Sequence, residues 1–86
     1  MPDPHIDLTV IVSGQPTTVR ANPHAPLQTV VAKALEQTHN TGQPPENWEL
    51  KYDGKVLDLS ATIESFGFPA GANLFLTLKA GIGGDV

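Results

Sequence analysis

Eighty-six residues, a net charge of −4 and no cysteine leave room for one domain and not two, with a core that rests on apolar packing alone: no disulfide, thiol nucleophile, thioester-forming residue or thiolate zinc site is open to it. The nine acids are spread along the chain, which disfavours binding to a nucleic-acid backbone, where a clustered basic face is the expected footprint. Apolar stretches run to a few residues each, and Met1-Pro2-Asp3-Pro4 lacks the charge and apolar run of a signal peptide, so a cytoplasmic protein with no membrane partner is expected.

Ile6, Leu8, Val10 and Val12 alternate with Asp7, Thr9 and Ile11, the period-two pattern of a strand with one face on a core. Ser13-Gly14-Gln15-Pro16 supplies a tight reversal, and Thr17 to Ala21 reads as the β-branched return strand. Pro26 suits the first turn of a helix, where its missing N–H costs nothing. Leu27, Val30, Val31, Ala34 and Leu35 then form one apolar stripe at helical spacing. Asn40-Thr41-Gly42 ends that helix, with Gly42 as the left-handed cap and Pro44-Pro45 forbidding continuation.

Trp48 opens the next strand, through Tyr52, and fills the edge of the core. Asp53-Gly54 is a strong hairpin signal, with Lys55 to Leu57 as a short partner strand. Thr62 to Phe66 reads as a single helical turn in a crossing loop, and Asn73 to Lys79 as the clearest strand, with Leu74, Leu76 and Leu78 on one side. Strand, strand, helix, strand, short strand, helical turn, strand gives a two-layer α+β domain in which one helix covers a mixed sheet of four to five strands.

From Gly42 onward the chain resembles ubiquitin. The resemblance rests on Gly42 with Pro44-Pro45 after the helix, Leu50 and Tyr52 in the third strand, and Gly54-Lys55 in the turn. Leu57, Thr62 and Ile63 follow in register, then Phe66 and Phe68 in the crossing loop, Leu74, Leu76 and Leu78 in the last strand, and a terminal Gly83-Gly84. The N-terminal half is looser, with a shorter hairpin turn and a longer helix. The resemblance implies a β-grasp domain over residues 1–79 and a flexible C-terminal tail over 80–86 with a diglycine and a two-residue extension. A tail beyond diglycine and the lack of cysteine are also similar to ubiquitin-like precursors of bacterial operons that encode an activating enzyme, a conjugating enzyme and a deubiquitinase-like peptidase.

What the resemblance implies for the tail is chemical. Gly81, Ile82, Gly83 and Gly84 form a segment with little side-chain bulk, suited to a narrow tunnel, and its last carbonyl is unhindered. The six residues after Leu78 reach roughly 20 Å at about 3.3 Å each. Gly84 is expected to carry the carboxylate that an ATP-dependent activating enzyme adenylates, a conjugating enzyme receives and a target amine finally holds. Because Asp85 follows Gly84, a peptidase must first cut between Gly84 and Asp85. The chain itself is then no enzyme and holds no cofactor or metal, ATP being used by the activating enzyme; it is expected to be a monomer when free. Gly81-Ile82 departs from ubiquitin's tail in having an extra residue and no arginine, which points to dedicated partners.

Strand parity turns Glu49, Lys51, Phe75, Thr77 and Lys79 away from the core. Lys51 and Thr77 stand where ubiquitin offers apolar side chains to its receptors, and Phe75 is an aromatic ring on a wet face, so Lys51, Phe75, Thr77 and Lys79 form a candidate partner patch. Of Lys33, Lys51, Lys55 and Lys79, Lys55 resembles the turn lysine through which ubiquitin is commonly linked into chains. His5, His24 and His39 are scattered, without triad or metal spacing. Two other classes share this fold: a sulfur carrier whose terminal glycine becomes a thiocarboxylate, and a docking domain that is never conjugated. Asp85-Val86 and Pro44-Pro45 favour the modifier over the carrier.

Overall fold

Alternating β-branched and polar residues build β1 (Ile6–Val12) and β2 (Gln15–Ala21). A computed structural model of the chain describes residues 5–79. Ser13 and Gly14 join the two strands with φ of 48° and 90°, a type I′ turn whose twist matches the strands on either side. β2 therefore starts two residues earlier than the sequence suggests, with Val12 opposite Gln15 and Ile11 opposite Pro16. Proline is tolerated there because β2 is an edge strand.

Helix α1 (Gln28–Gln37) buries Val30, Val31, Ala34 and Leu35, four of the five residues of the expected stripe. Leu27 is also buried but occupies the N-cap position. Pro26 lies before the helix rather than in its first turn: it bridges Thr62, and the Leu27 N–H donates to the Ala61 carbonyl at 2.9 Å. The C-terminal cap also differs from the expectation. His39, not Gly42, takes the left-handed conformation, with φ of 61°. Asn40 N–H donates to Leu35 O at 2.8 Å and His39 N–H to Glu36 O at 3.2 Å, the paired bonds of a Schellman motif. The Thr38 hydroxyl donates to Ala34 O and accepts from Asn40 Nδ2, both at 2.8 Å, so side-chain bonds hold a cap that lacks glycine.

A 3-10 turn at Pro45–Asn47 leads into β3 (Trp48–Tyr52). Asp53 and Gly54, at φ of 54° and 78°, form a second type I′ turn into β4 (Lys55–Val56). The expected single helical turn is a 3-10 turn at Ile63–Phe66, ended by Gly67 at φ of 66°. β5 (Asn73–Leu78) then enters the middle of a five-stranded sheet of order β2-β1-β5-β3-β4, parallel to β1 and antiparallel to β3.

One face of this sheet presents Leu8, Val10, Leu50, Leu74 and Leu76, all fully buried, as is Val31 of α1. At the margin of the core, Tyr52 meets Phe68 edge-on with centroids 5.1 Å apart, and Phe66 stacks on Phe68 at 5.2 Å. Leu78 departs from the parity reading and is 37% exposed. Pairing of β5 with β1 stops at Leu76, so Leu78 has a neighbouring strand on one side only.

Two predictions follow from these contacts. Leu50 is fully buried, so Leu50→Ala should lower the unfolding free energy by about 2–5 kcal/mol, read from urea denaturation. The Asp58 carboxylate accepts from the Ser60 hydroxyl at 2.7 Å and from the Ser60 backbone N–H at 3.0 Å; the hydroxyl first, then the N–H, holds its pKa below the ordinary carboxylate value. A depressed folded-state pKa contributes stability above the unfolded value that is lost as pH falls through the folded one. Ser60→Ala should bring the Asp58 titration, followed by NMR, back up toward the ordinary value.

Candidate functional site

Two regions carry the candidate residues: the point where the chain leaves β5, and the outer face of the sheet. The first is fixed by backbone bonds. Leu78 pairs with Trp48 across β3 and β5, and the Lys79 N–H donates to the Asn47 carbonyl at 2.9 Å. Trp48 is 4% exposed and belongs to the core rather than only its edge. Its indole Nε1 is buried without a hydrogen-bond partner among the described residues. The chain past Lys79 therefore starts from an anchored root. Gly81, Ile82, Gly83, Gly84 and Asp85, the residues to which the sequence gives the chemistry, lie outside the described residues.

On the outer face the ladder sets Lys51 opposite Phe75 and Glu49 opposite Thr77. Phe75 is 50% exposed, and the Lys51 ammonium pairs with the Glu49 carboxylate at 3.3 Å. Phe75 also faces Ile11 in parallel register, Ile11 faces Pro16, and Lys51 faces Val56. Pro16, Ile11, Phe75, Lys51 and Val56 thus form one row across all five strands, apolar except for the lysine, with Val56 59% exposed. Besides Pro16, which the sequence reading assigns to the turn, Ile11 and Val56 are the members that strand-by-strand reading leaves out. Parity puts each on the wet face, but register alone brings them to Phe75.

Lys79 does not join this row. It lines a cavity of about 500 Å³ on the helix side, with Gln28, Ala32, Pro45, Glu46 and Leu59. Lys55 is exposed beside the Asp53-Gly54 turn. His24 Nδ1 lies 3.3 Å from a Glu64 carboxylate oxygen in an exposed contact. Among the described residues, no group of three or more His, Asp or Glu side chains could hold a metal ion, and no helix is long and apolar enough to cross a membrane.

The family model described as "Protein of Unknown function (DUF2604)" matches residues 1–84. The chain belongs to this family. A relative from Sinorhizobium fredii (strain NBRC 101917 / NGR234), named "Uncharacterized protein y4jI", is 52% identical over 80 residues, or 92% of this chain. This chain spans only 62% of that relative's length. Among solved structures, "Caldiarchaeum Subterraneum Ubiquitin" superposes with a TM-score of 0.74 at 25% identity, covering 93% of this chain and 99% of that one. A design based on ubiquitin superposes with a TM-score of 0.78 at 25% identity, covering 98% and 100%. This member of the DUF2604 family therefore has the ubiquitin-like β-grasp fold.

Phe75 contributes half its surface to solvent and little to the core. Phe75→Ala should leave the unfolding free energy within about 0.5 kcal/mol of the parent while abolishing binding of any partner that docks on this outer face, measured by calorimetry. Unchanged binding would dismiss the patch.

Proposed function

We propose that the chain is the precursor of a ubiquitin-like protein modifier. Water, delivered by a deubiquitinase-like peptidase, hydrolyses the amide between Gly84 and Asp85 and frees the Gly84 carboxylate. An activating enzyme transfers AMP from ATP to that carboxylate, forming the acyl-adenylate and releasing pyrophosphate. An enzyme nucleophile then displaces AMP to form an ester or thioester on the activating or conjugating enzyme. A target amine finally displaces that nucleophile to form an amide. The chain supplies the acyl group and no catalytic side chain, which makes it a substrate rather than an enzyme.

One observation carries this reading: a ubiquitin-like β-grasp domain whose central strand ends at Leu78, followed after four residues by Gly83-Gly84. The bond from Lys79 N–H to the Asn47 carbonyl fixes where the chain leaves the sheet, so Gly84 lies within five residues' reach of that point, roughly 17 Å at about 3.3 Å each. The family match ends at Gly84, in keeping with Asp85 and Val86 being dispensable after processing. Lysine in place of an apolar side chain at position 51, and threonine at 77, suit dedicated partners such as those of bacterial conjugation operons. The exposed turn position of Lys55 suits it to accept a second copy in a chain.

The test uses the products of the neighbouring genes as candidate activating and conjugating enzymes, the chain ending at Gly84, and ATP. Covalent adducts should appear with ATP and vanish without it, and the chain still carrying Asp85-Val86 should form none unless the peptidase is added. Absence of any adduct from the Gly84-ended chain would overturn the proposal. A thiocarboxylate at Gly84 in its place would assign the chain to sulfur transfer.

A further inference from the structure

The point where the chain leaves the domain is part of a cavity wall. Lys79, the residue after β5, lines the cavity of about 500 Å³ together with Gln28 and Ala32 of α1, Pro45 and Glu46 of the first 3-10 turn, and Leu59. Backbone bonds fix its sides. Gln28 N–H donates to Leu59 O at 2.9 Å, which holds that loop against the start of the helix. Asn47, next to Glu46, donates its N–H to Pro44 O at 3.0 Å and accepts from Lys79 N–H at 2.9 Å. The hollow is therefore built into the backbone rather than left by the pose of one long side chain.

Its chemistry suits a neutral apolar group. Ala32, Pro45 and Leu59 supply apolar surface, and Leu59 packs against the core. Glu46 and Lys79 are its charged members, one of each sign, so the lining selects for neither charge. The exposed residues of α1 are Gln28, Thr29, Ala32, Lys33, Glu36 and Gln37. Ala32 is the one apolar residue among them, and its short side chain leaves the room that a longer one would fill.

The sequence past Lys79 carries a matching group. Across Ala80-Gly81-Ile82-Gly83-Gly84 the one large side chain is Ile82, three residues beyond Lys79, a reach of roughly 10 Å at about 3.3 Å per residue. Gly81 before it and Gly83-Gly84 after it have access to left-handed backbone angles that other residues resist, which allows a chain to turn into the cavity and out again.

We propose that Ile82 seats in this cavity against Ala32, Pro45 and Leu59, in equilibrium with a released tail. Burial of one isoleucine and ordering of the three residues that lead to it are of similar size and opposite sign, so both forms are populated. Val86 is the poorer occupant: it lies seven residues from Lys79 and follows the charged Asp85. The seat itself does not rest on conjugation. One consequence does, on the modifier reading: an enzyme that threads Gly83-Gly84 into a narrow site must first withdraw Ile82, so the seat holds the tail back from proteins that offer Ile82 no replacement pocket.

The full chain, labelled with carbon-13 and nitrogen-15, is observed by NMR with no enzyme or ATP present, so the outcome is independent of whether adducts form. Nuclear Overhauser contacts are expected from the Ile82 methyls to the methyls of Ala32 and Leu59. Ile82→Ser should abolish them and shift the Ala32 and Leu59 methyl signals. Ala32→Gln keeps a good helix former on the exposed face and fills the seat. It should return the Ile82 methyls to the shifts of an unstructured peptide and leave the core signals of Leu50 and Leu74 in place. Absence of contacts between Ile82 and the cavity, or Ala32 and Leu59 signals indifferent to Ile82→Ser, would overturn the proposal. Contacts from Val86 in place of Ile82 would overturn it as well, and contacts found only between labelled and unlabelled copies would overturn it in favour of a second chain.

Discussion

Everything in this molecule depends on β5 occupying the centre of the sheet. A central strand spends both of its backbone edges on neighbours, here β1 in parallel and β3 in antiparallel register, and so its position and direction are over-determined. Leu74 and Leu76, fully buried, add the apolar contact that seats α1 across the sheet. Because the last strand is the central one, the chain leaves the domain from its most constrained element, pinned once more by the bond from Lys79 N–H to the Asn47 carbonyl.

The same layout divides the surface by function. The helix side of the sheet is largely consumed by the core, which leaves the outer face and the two edge strands open to solvent. Across the outer face Phe75 stands between Ile11 and the Lys51–Glu49 ion pair, a mixed surface in which a partner must satisfy a charge beside an aromatic ring. Such a requirement excludes receptors built for a wholly apolar patch, because an apolar surface closing over Lys51 would strip it of water without return.

Much of the fold was legible in the residues because its signals are local. β1 spans Ile6–Val12 as its alternation implies, Asp53-Gly54 makes the turn its chemistry favours, and Val30, Val31, Ala34 and Leu35 lie on one buried face. The errors come where a tertiary or side-chain bond outweighs local preference. Gly42 is the better left-handed residue on its own, but the Thr38 and Asn40 side chains stabilise the cap at His39. Parity sends Leu78 inward, but β1 pairing has already ended. The row through Ile11, Phe75 and Val56 depends on register between strands distant in sequence, which no single segment encodes. The tail is the opposite case: Gly81 to Gly84 has no period, and its chemistry is readable only through the resemblance of the domain before it to ubiquitin.

The most direct test of the central claim is a search for the tail on other proteins in the organism that makes this chain. Lys79 is the last lysine or arginine in the sequence, so trypsin acting on a conjugate should leave Ala80-Gly81-Ile82-Gly83-Gly84 attached to the modified lysine. The account predicts tryptic peptides branched with this five-residue remnant, lost when Gly84 is replaced or the peptidase gene is deleted. Recovery of the tail solely as an unbranched peptide that still continues through Asp85-Val86 would contradict it.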